Sequence, residues 1–149
     1  VRILLVTLIA IFLAGCSGPS TLPVGLTARM DTPGASLDTA EALNIINQLR
    51  SSRGAPALRL DENLNAEART LAGRYAGSGT APKKPDNADA ILVSAGYANF
   101  AETFSGWRSR ETNVAELTDS AYSRVGLGVV YSANSTYGVH WVLLLAGAQ

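Results

Sequence analysis

Val125-Gly126-Leu127-Gly128-Val129-Val130-Tyr131 and Tyr137-Gly138-Val139-His140-Trp141-Val142-Leu143-Leu144-Leu145 are two runs rich in β-branched and aromatic residues, joined by Ser132 to Thr136. That spacing predicts an antiparallel hairpin. In the second run Tyr137, Val139, Trp141, Leu143 and Leu145 share one face, and His140, Val142 and Leu144 share the other. Both faces are largely apolar, so this strand is expected to be central and covered on two sides. Gly126 and Gly128 fall on one face of the first strand, where missing side chains let a helix pack close. They do not form a nucleotide loop, because no third glycine or helix follows them.

Upstream of the hairpin the periodicity is helical. Asp38 is placed to cap a first helix, with Glu41 reaching back in a D-x-x-E version of the capping box. Ala42, Ile45, Ile46 and Leu49 then give one apolar face at i, i+3, i+4 and i+7. Gly54 ends this helix and Pro56 follows it. Asp61 caps a second helix with Leu64, Ala68, Leu71, Ala72 and Tyr75 on one stripe, ending in Gly77-Ser78-Gly79. Thr80 to Asn87 reads as a loop whose Lys83 and Lys84 are solvated. Ala88 to Ala95 is read as a short helix stopped by Gly96, and Asn99 to Leu117 as short helical turns. Helices on both faces of the hairpin make an α+β fold. The expected architecture is an α-β-α sandwich with N-terminal helices followed by a C-terminal antiparallel β-hairpin.

The N-terminus carries a different signal. Val1-Arg2 is a short basic start, and the apolar run Ile3 to Leu13 is too short to cross a hydrocarbon core that needs roughly 20 residues. Leu13-Ala14-Gly15-Cys16 closely resembles the bacterial lipoprotein box. The resemblance implies that residues 1–15 are a signal peptide and that Cys16 is the lipid attachment site. Several acyl chains on Cys16 would hold the protein at a membrane. Ser17, a non-acidic residue after the Cys, implies sorting to the outer membrane with the domain facing the periplasm. Residues 16–35 are read as the lipidated Cys and a flexible Ser/Gly/Pro/Thr tether, leaving 36–149 as the folded domain.

Composition narrows the function. The full chain of 149 residues has 12 Lys+Arg against 12 Asp+Glu, and removal of residues 1–15 leaves 134 with a net charge of −1. One domain accounts for that length. A balance this even gives no electrostatic footprint for nucleic acid. Cys16 is the only thiol, so no intrachain disulfide and no Cys-based metal cluster can be built. A single histidine excludes most His-dependent metal sites, and no cofactor is called for. No G-x-S-x-G elbow or S-x-x-K pair is present to support nucleophilic catalysis.

Ile46-Asn47-Gln48-Leu49-Arg50, followed by Gly54, Leu58, Asp61, Leu64, Ala68 and Ala72, resembles the opening of a CAP domain. CAP denotes the superfamily of cysteine-rich secretory proteins, antigen 5 and plant pathogenesis-related proteins, with many bacterial members. Trp107, Val125-Gly126-Leu127-Gly128, Tyr137-Gly138 and Trp141-Val142 resemble that family's closing portion. The resemblance spans about Leu37 to Ala146 and implies an α-β-α sandwich. It also implies a cleft, which in many members is lined by two His and two acidic residues able to hold a divalent metal. Here the cluster is degenerate. The His that follows the Trp in bacterial relatives falls at Asn113, an amide that is a poor Zn²⁺ ligand and no general base. The other has no counterpart. Glu102 matches one of the acidic positions. Glu102, Trp107 and Asn113 are therefore the candidate cleft residues.

His140, mid-strand beside Trp141, is expected to be a hydrogen-bonded core residue. The aromatic residues from Tyr97 onward are expected chiefly in the core, with some of Tyr97 to Trp107 available to line a groove. Two functions follow. One is an envelope lipoprotein whose domain binds an apolar molecule, a glycan or a protein at the membrane surface, with no catalysis. The alternative is an envelope hydrolase with a reorganised cleft around Glu102, which requires a tuned acid or a positioned water.

Overall fold

The computed structural model describes residues 21–148; the stretch expected to be a signal peptide, Cys16 and residues 17–20 lie outside the described part. In chain order the elements are α1 (Val24–Thr27), α2 (Thr39–Ser52), β1 (Arg59–Leu60), α3 (Glu62–Ser78), β2 (Ala90–Ala95), α4 (Phe100–Arg108), α5 (Glu111–Thr118), β3 (Arg124–Tyr131) and β4 (Val139–Ala146). The strands form one sheet in the order β1-β3-β4-β2. β1 runs parallel to β3, whereas β3–β4 and β2–β4 are antiparallel.

The caps act where the sequence places them. The Asp38 carboxylate accepts from the Glu41 N–H at 3.0 Å, but the expected return bond is not made: the buried Glu41 Oε2 has no hydrogen-bond partner among the described residues. Asp61 accepts from Asn63 and Leu64 at 2.9 and 3.0 Å, satisfying amides that the first helical turn leaves free. These bonds and an ion pair with Arg124 hold the Asp61 carboxyl below the ordinary carboxylate range, the Leu64 N–H being the largest cause. Gly79, at φ 70°, closes α3 in the left-handed region.

Every residue of β4 is buried, as its two apolar faces demand. Val139, Trp141, Leu143 and Leu145 pack with Leu26, Ile46, Phe100, Phe104, Trp107 and Leu117 in one layer. Val142 and Leu144 pack with Leu64, Ala68, Leu71 and Ala72 of α3 in the other. The α-β-α sandwich is therefore present.

α3 lies directly on β3. A Cβ placed on Gly126 would stand 2.2 Å from the Leu64 carbonyl carbon, and one on Gly128 would stand 2.2 Å from that of Ala68. This proximity lets Asn65, itself buried, accept from the Leu127 N–H at 2.8 Å through its side-chain oxygen. The Asp61 N–H likewise donates to the Val125 carbonyl at 3.0 Å.

The resembling string in α2 ties connections to the layer. The Asn47 amide both donates to and accepts from the Leu58 backbone, at 3.1 and 2.8 Å. Arg50 is fully buried, and its guanidinium donates to the carbonyls of Pro56, Leu117 and Tyr122 at 2.6, 2.8 and 2.9 Å. A charge so placed is tolerable because carbonyl oxygens replace its water.

Three expectations are corrected and one short strand is added. Ala88 to Ala95 is not a helix: Ala90–Ala95 is β2, paired with Leu145 to His140 of β4. Ala90 and Leu92 are buried while Ile91 and Val93 are half-buried, an alternation too short to be separated from a helical pattern by eye. Arg59–Leu60 contributes a two-residue strand the sequence did not signal. β4 begins at Val139, and Tyr137 stands in the turn, 56% exposed. The second half of the expected tether is docked, with Leu26 and Met30 in the core and the Met30 N–H bonded to the Ala98 carbonyl at 2.7 Å. Two apolar side chains four positions apart suffice to order a segment that its composition marks as loose.

Two glycine substitutions separate close packing from helix propensity. Gly128→Ala is expected to cost about 3 kcal/mol or more, because the added methyl meets backbone that cannot move without lifting α3 off the sheet. Gly73→Ala, within α3 with no atom near the added methyl, is expected to stabilise by up to about 1 kcal/mol. Urea denaturation of the two variants checks both signs.

Candidate functional site

A cleft of about 590 Å³ lies where β2, α3, α4, α5 and the β3–β4 turn meet. Val93, Ser94 and Ala95 of β2 form one wall with Tyr97, and Tyr75 and Gly79 come from the end of α3. Gly106, Trp107, Ser109, Arg110 and Asn113 close the opposite side, with Tyr137 over the turn.

Two indoles set this geometry. Trp107 is buried, and its Nε1–H donates to the Val93 carbonyl at 3.1 Å, binding α4 to β2. The Trp141 Nε1–H donates to the Tyr97 carbonyl at 3.0 Å, fixing the turn from which Tyr97 projects. Phe100 packs between them, its ring centroid 6.2 Å from Trp107 and 6.0 Å from Trp141. The Tyr97 ring lies over Gly106, where a Cβ would approach its Cε2 to 2.9 Å. Phe100 and Phe104 are core, so of the aromatic residues expected to offer a groove, Tyr97 is the one left substantially exposed.

The candidate residues separate. Trp107 and Asn113 line the cleft together. Glu102 does not border it; it lines a shallower groove on the other side of Tyr97 and Gly106, with Leu22, Ala101, Ser105 and Ser109. Its backbone N–H donates to the Asn99 side chain at 2.9 Å, and its carboxylate accepts from the Ala98 N–H at 3.2 Å. Glu102 is thus one half of a reciprocal cap on α4.

The lining, among the described residues, holds no carboxylate and no imidazole, and Arg110 is its one charged side chain. Among the described residues, no group of three or more His, Cys, Asp and Glu comes together. The arrangement presents aromatic faces, hydroxyls, an amide and a guanidinium, a set suited to holding a polar ligand. Tyr75, Ser94, Arg110 and Tyr137 were not legible as site residues. Tyr75 reads as part of the α3 stripe and Tyr137 as part of a strand, so only the fold brings them to one rim.

His140 lies beneath that rim, fully buried. Its Nε2 is 3.1 Å from the Ser135 hydroxyl, and Tyr75 meets its ring edge-on at 4.7 Å. Burial pushes its pKa below the ordinary imidazole value. It is the hydrogen-bonded core residue expected of it.

The sequence model of the cysteine-rich secretory protein family (CAP) matches residues 43–145. No curated protein sequence matches the chain. Among solved structures, MpPR-1i is similar over 72% of this chain and 88% of its own, with 16% identity and a TM-score of 0.61. An outer surface protein of Borrelia burgdorferi is similar over 77% and 99%, with 15% identity and a TM-score of 0.59. An extracellular protein of Bacillus anthracis that contains an SCP domain is similar over 72% of this chain and 39% of its own, at 14% identity and a TM-score of 0.59. At such identities the likeness is one of fold.

The buried imidazole predicts a pH dependence. Because its folded-state pKa is lowered, the unfolded chain takes up the proton first as pH falls. The stability contributed by neutral His140 is complete above the ordinary value of 6.5 and is lost progressively as pH falls from there through the lowered folded-state value. His140→Gln is expected to flatten this part of the profile, leaving the losses at lower pH that come from carboxylates such as Asp61. Thermal unfolding between pH 8 and pH 5, compared for the two proteins, checks it.

Proposed function

The chain belongs to the cysteine-rich secretory protein (CAP) family, and on that footing we propose that it is a bacterial envelope lipoprotein whose domain binds a glycan in the tyrosine-lined cleft and does not cut it. Leu13-Ala14-Gly15-Cys16 and the short apolar run before it support a membrane anchor at Cys16. Ser17 supports the outer membrane, with the domain facing the periplasm. No helix among the described residues is long and apolar enough to cross a membrane, so the proposed attachment rests on the lipid.

The observation that carries the binding reading is the cleft lining. Tyr75, Tyr97 and Tyr137 surround Ser94, Ser109, Asn113 and Arg110 in an open depression. A sugar ring offers apolar C–H faces and a girdle of hydroxyls. Tyrosine rings pack on the former, while planar amide and guanidinium groups bond the latter. A closed apolar pocket, which a lipid-like molecule would need, has a different lining. Hydrolysis at Glu102 would need that carboxylate within reach of a scissile bond. It stands outside the cleft and caps α4.

Titration with soluble oligosaccharides of alternating N-acetylglucosamine and N-acetylmuramic acid tests the reading. Saturable binding is expected, weakened about tenfold or more by Tyr137→Ala or Arg110→Ala, equivalent to about 1.4 kcal/mol or more. Glu102→Gln is expected to bind as the parent does. Absence of binding would contradict the reading in favour of an apolar or protein ligand, and shortening of the oligosaccharides would establish the hydrolase instead.

A further inference from the structure

Two of the exposed large apolar side chains among the described residues, Leu22 and Tyr97, meet where the chain leaves towards Cys16, and a third, Val24, follows two residues after Leu22. Leu22 is 53% exposed, Val24 82% and Tyr97 41%. Leu22, Tyr97 and Ala101 border one shallow groove of about 530 Å³ beside α4. Exposed apolar side chains scattered singly need no explanation, but a cluster beside one chain exit does.

The length of chain behind this cluster determines what it can meet. Leu26 and Met30 fix the segment to the core, and just ahead of them the exposed Thr21, Leu22 and Pro23 border a small groove with Glu41, Asn44, Ile45 and Gln48 of α2. Only residues 17–20 separate Thr21 from Cys16, a span of at most about 18 Å when fully extended. A domain of this length is about 35 Å across. An anchor this short cannot reach around the body, so a lipid on Cys16 holds the face that bears Thr21 against the bilayer.

We propose that Leu22, Val24 and Tyr97 form a membrane-facing surface that rests on the lipid headgroups beside the Cys16 anchor. The proposal rests on the reading of Cys16 as lipidated. The face is too small to bind a membrane by itself, and it has no need to. The anchor keeps it within reach at high effective concentration, which turns weak apolar contact into a defined orientation. Tyrosine suits this position because its ring is apolar and its hydroxyl can remain hydrated. Tyr97, Gly106 and Ser109 border both the groove and the cleft, so the resting domain holds the cleft mouth close to the membrane surface.

The experiment uses the lipidated full chain in vesicles of phosphatidylethanolamine and phosphatidylglycerol that carry a spin-labelled lipid. Cys16 is consumed by its thioether, so an environment-sensitive fluorophore can be placed at Val24→Cys or, as a control in the opposite layer, at Ala66→Cys. Ala66 is exposed on α3, across the sheet from α1. Quenching at position 24 several-fold above that at position 66 is expected. Equal quenching in protein that floats with the vesicles would overturn the membrane face alone. Failure to float would overturn the Cys16 anchor and the face with it. Hydrogen exchange on the unsubstituted lipidated chain provides a second readout free of the probe. Slower exchange at residues 22–28 in vesicles than in Cys16→Ser protein is expected, and identical exchange would count against the face.

Discussion

The two missing side chains at Gly126 and Gly128 set how near α3 can come to the sheet, and most of the architecture follows from that distance. With no Cβ in the way, helix backbone meets strand backbone at Leu64 and Ala68. The approach lets Asn65 occupy the Leu127 N–H, an edge group that β1 is too short to pair. Asp61 then serves twice, capping α3 and joining β3 through Val125 and Arg124. Once α3 is seated, Val142 and Leu144 have a cover, and β4 can be apolar on both faces. The last turn of the same helix delivers Tyr75 and Gly79 to the cleft rim.

Scaffold and cleft draw on different residues. Buried polar side chains do the joining: Asn47 on Leu58, Arg50 on three carbonyls, Asn65 on Leu127, and two indoles on Val93 and Tyr97. Each satisfies backbone groups that would otherwise be stranded, and such groups are expensive to leave unpaired. None of these joins requires an acid or an imidazole in the cleft. The cleft can therefore carry Asn113 and three tyrosines while the fold stays that of the family.

What was legible in the sequence were the features with a strong period or a dedicated residue. The hairpin showed in its alternation, α2 and α3 in their apolar stripes, and their starts in Asp38 and Asp61. The close packing of a helix on Gly126 and Gly128 was readable because glycine on one strand face has few other uses. β2 was misread because Ala-Ile-Leu-Val-Ser-Ala is short and apolar, and the partner that makes it a strand lies about fifty residues away in β4. α1 was misread because Pro, Gly and Thr dominate its surroundings, hiding the pair Leu26 and Met30. The cleft was half legible. Trp107 and Asn113 both line the cleft, whereas Glu102 belongs to a helix cap and Tyr75, Arg110 and Tyr137 meet only in three dimensions.

Binding without cleavage is the central claim, and purified peptidoglycan sacculi test it most directly. The domain is incubated with sacculi, the pellet is assayed for bound protein, and the supernatant is assayed for released saccharides. The account predicts protein in the pellet and no released fragments, with retention reduced in Tyr137→Ala. Soluble fragments that appear with the parent chain and vanish with Glu102→Gln would contradict it.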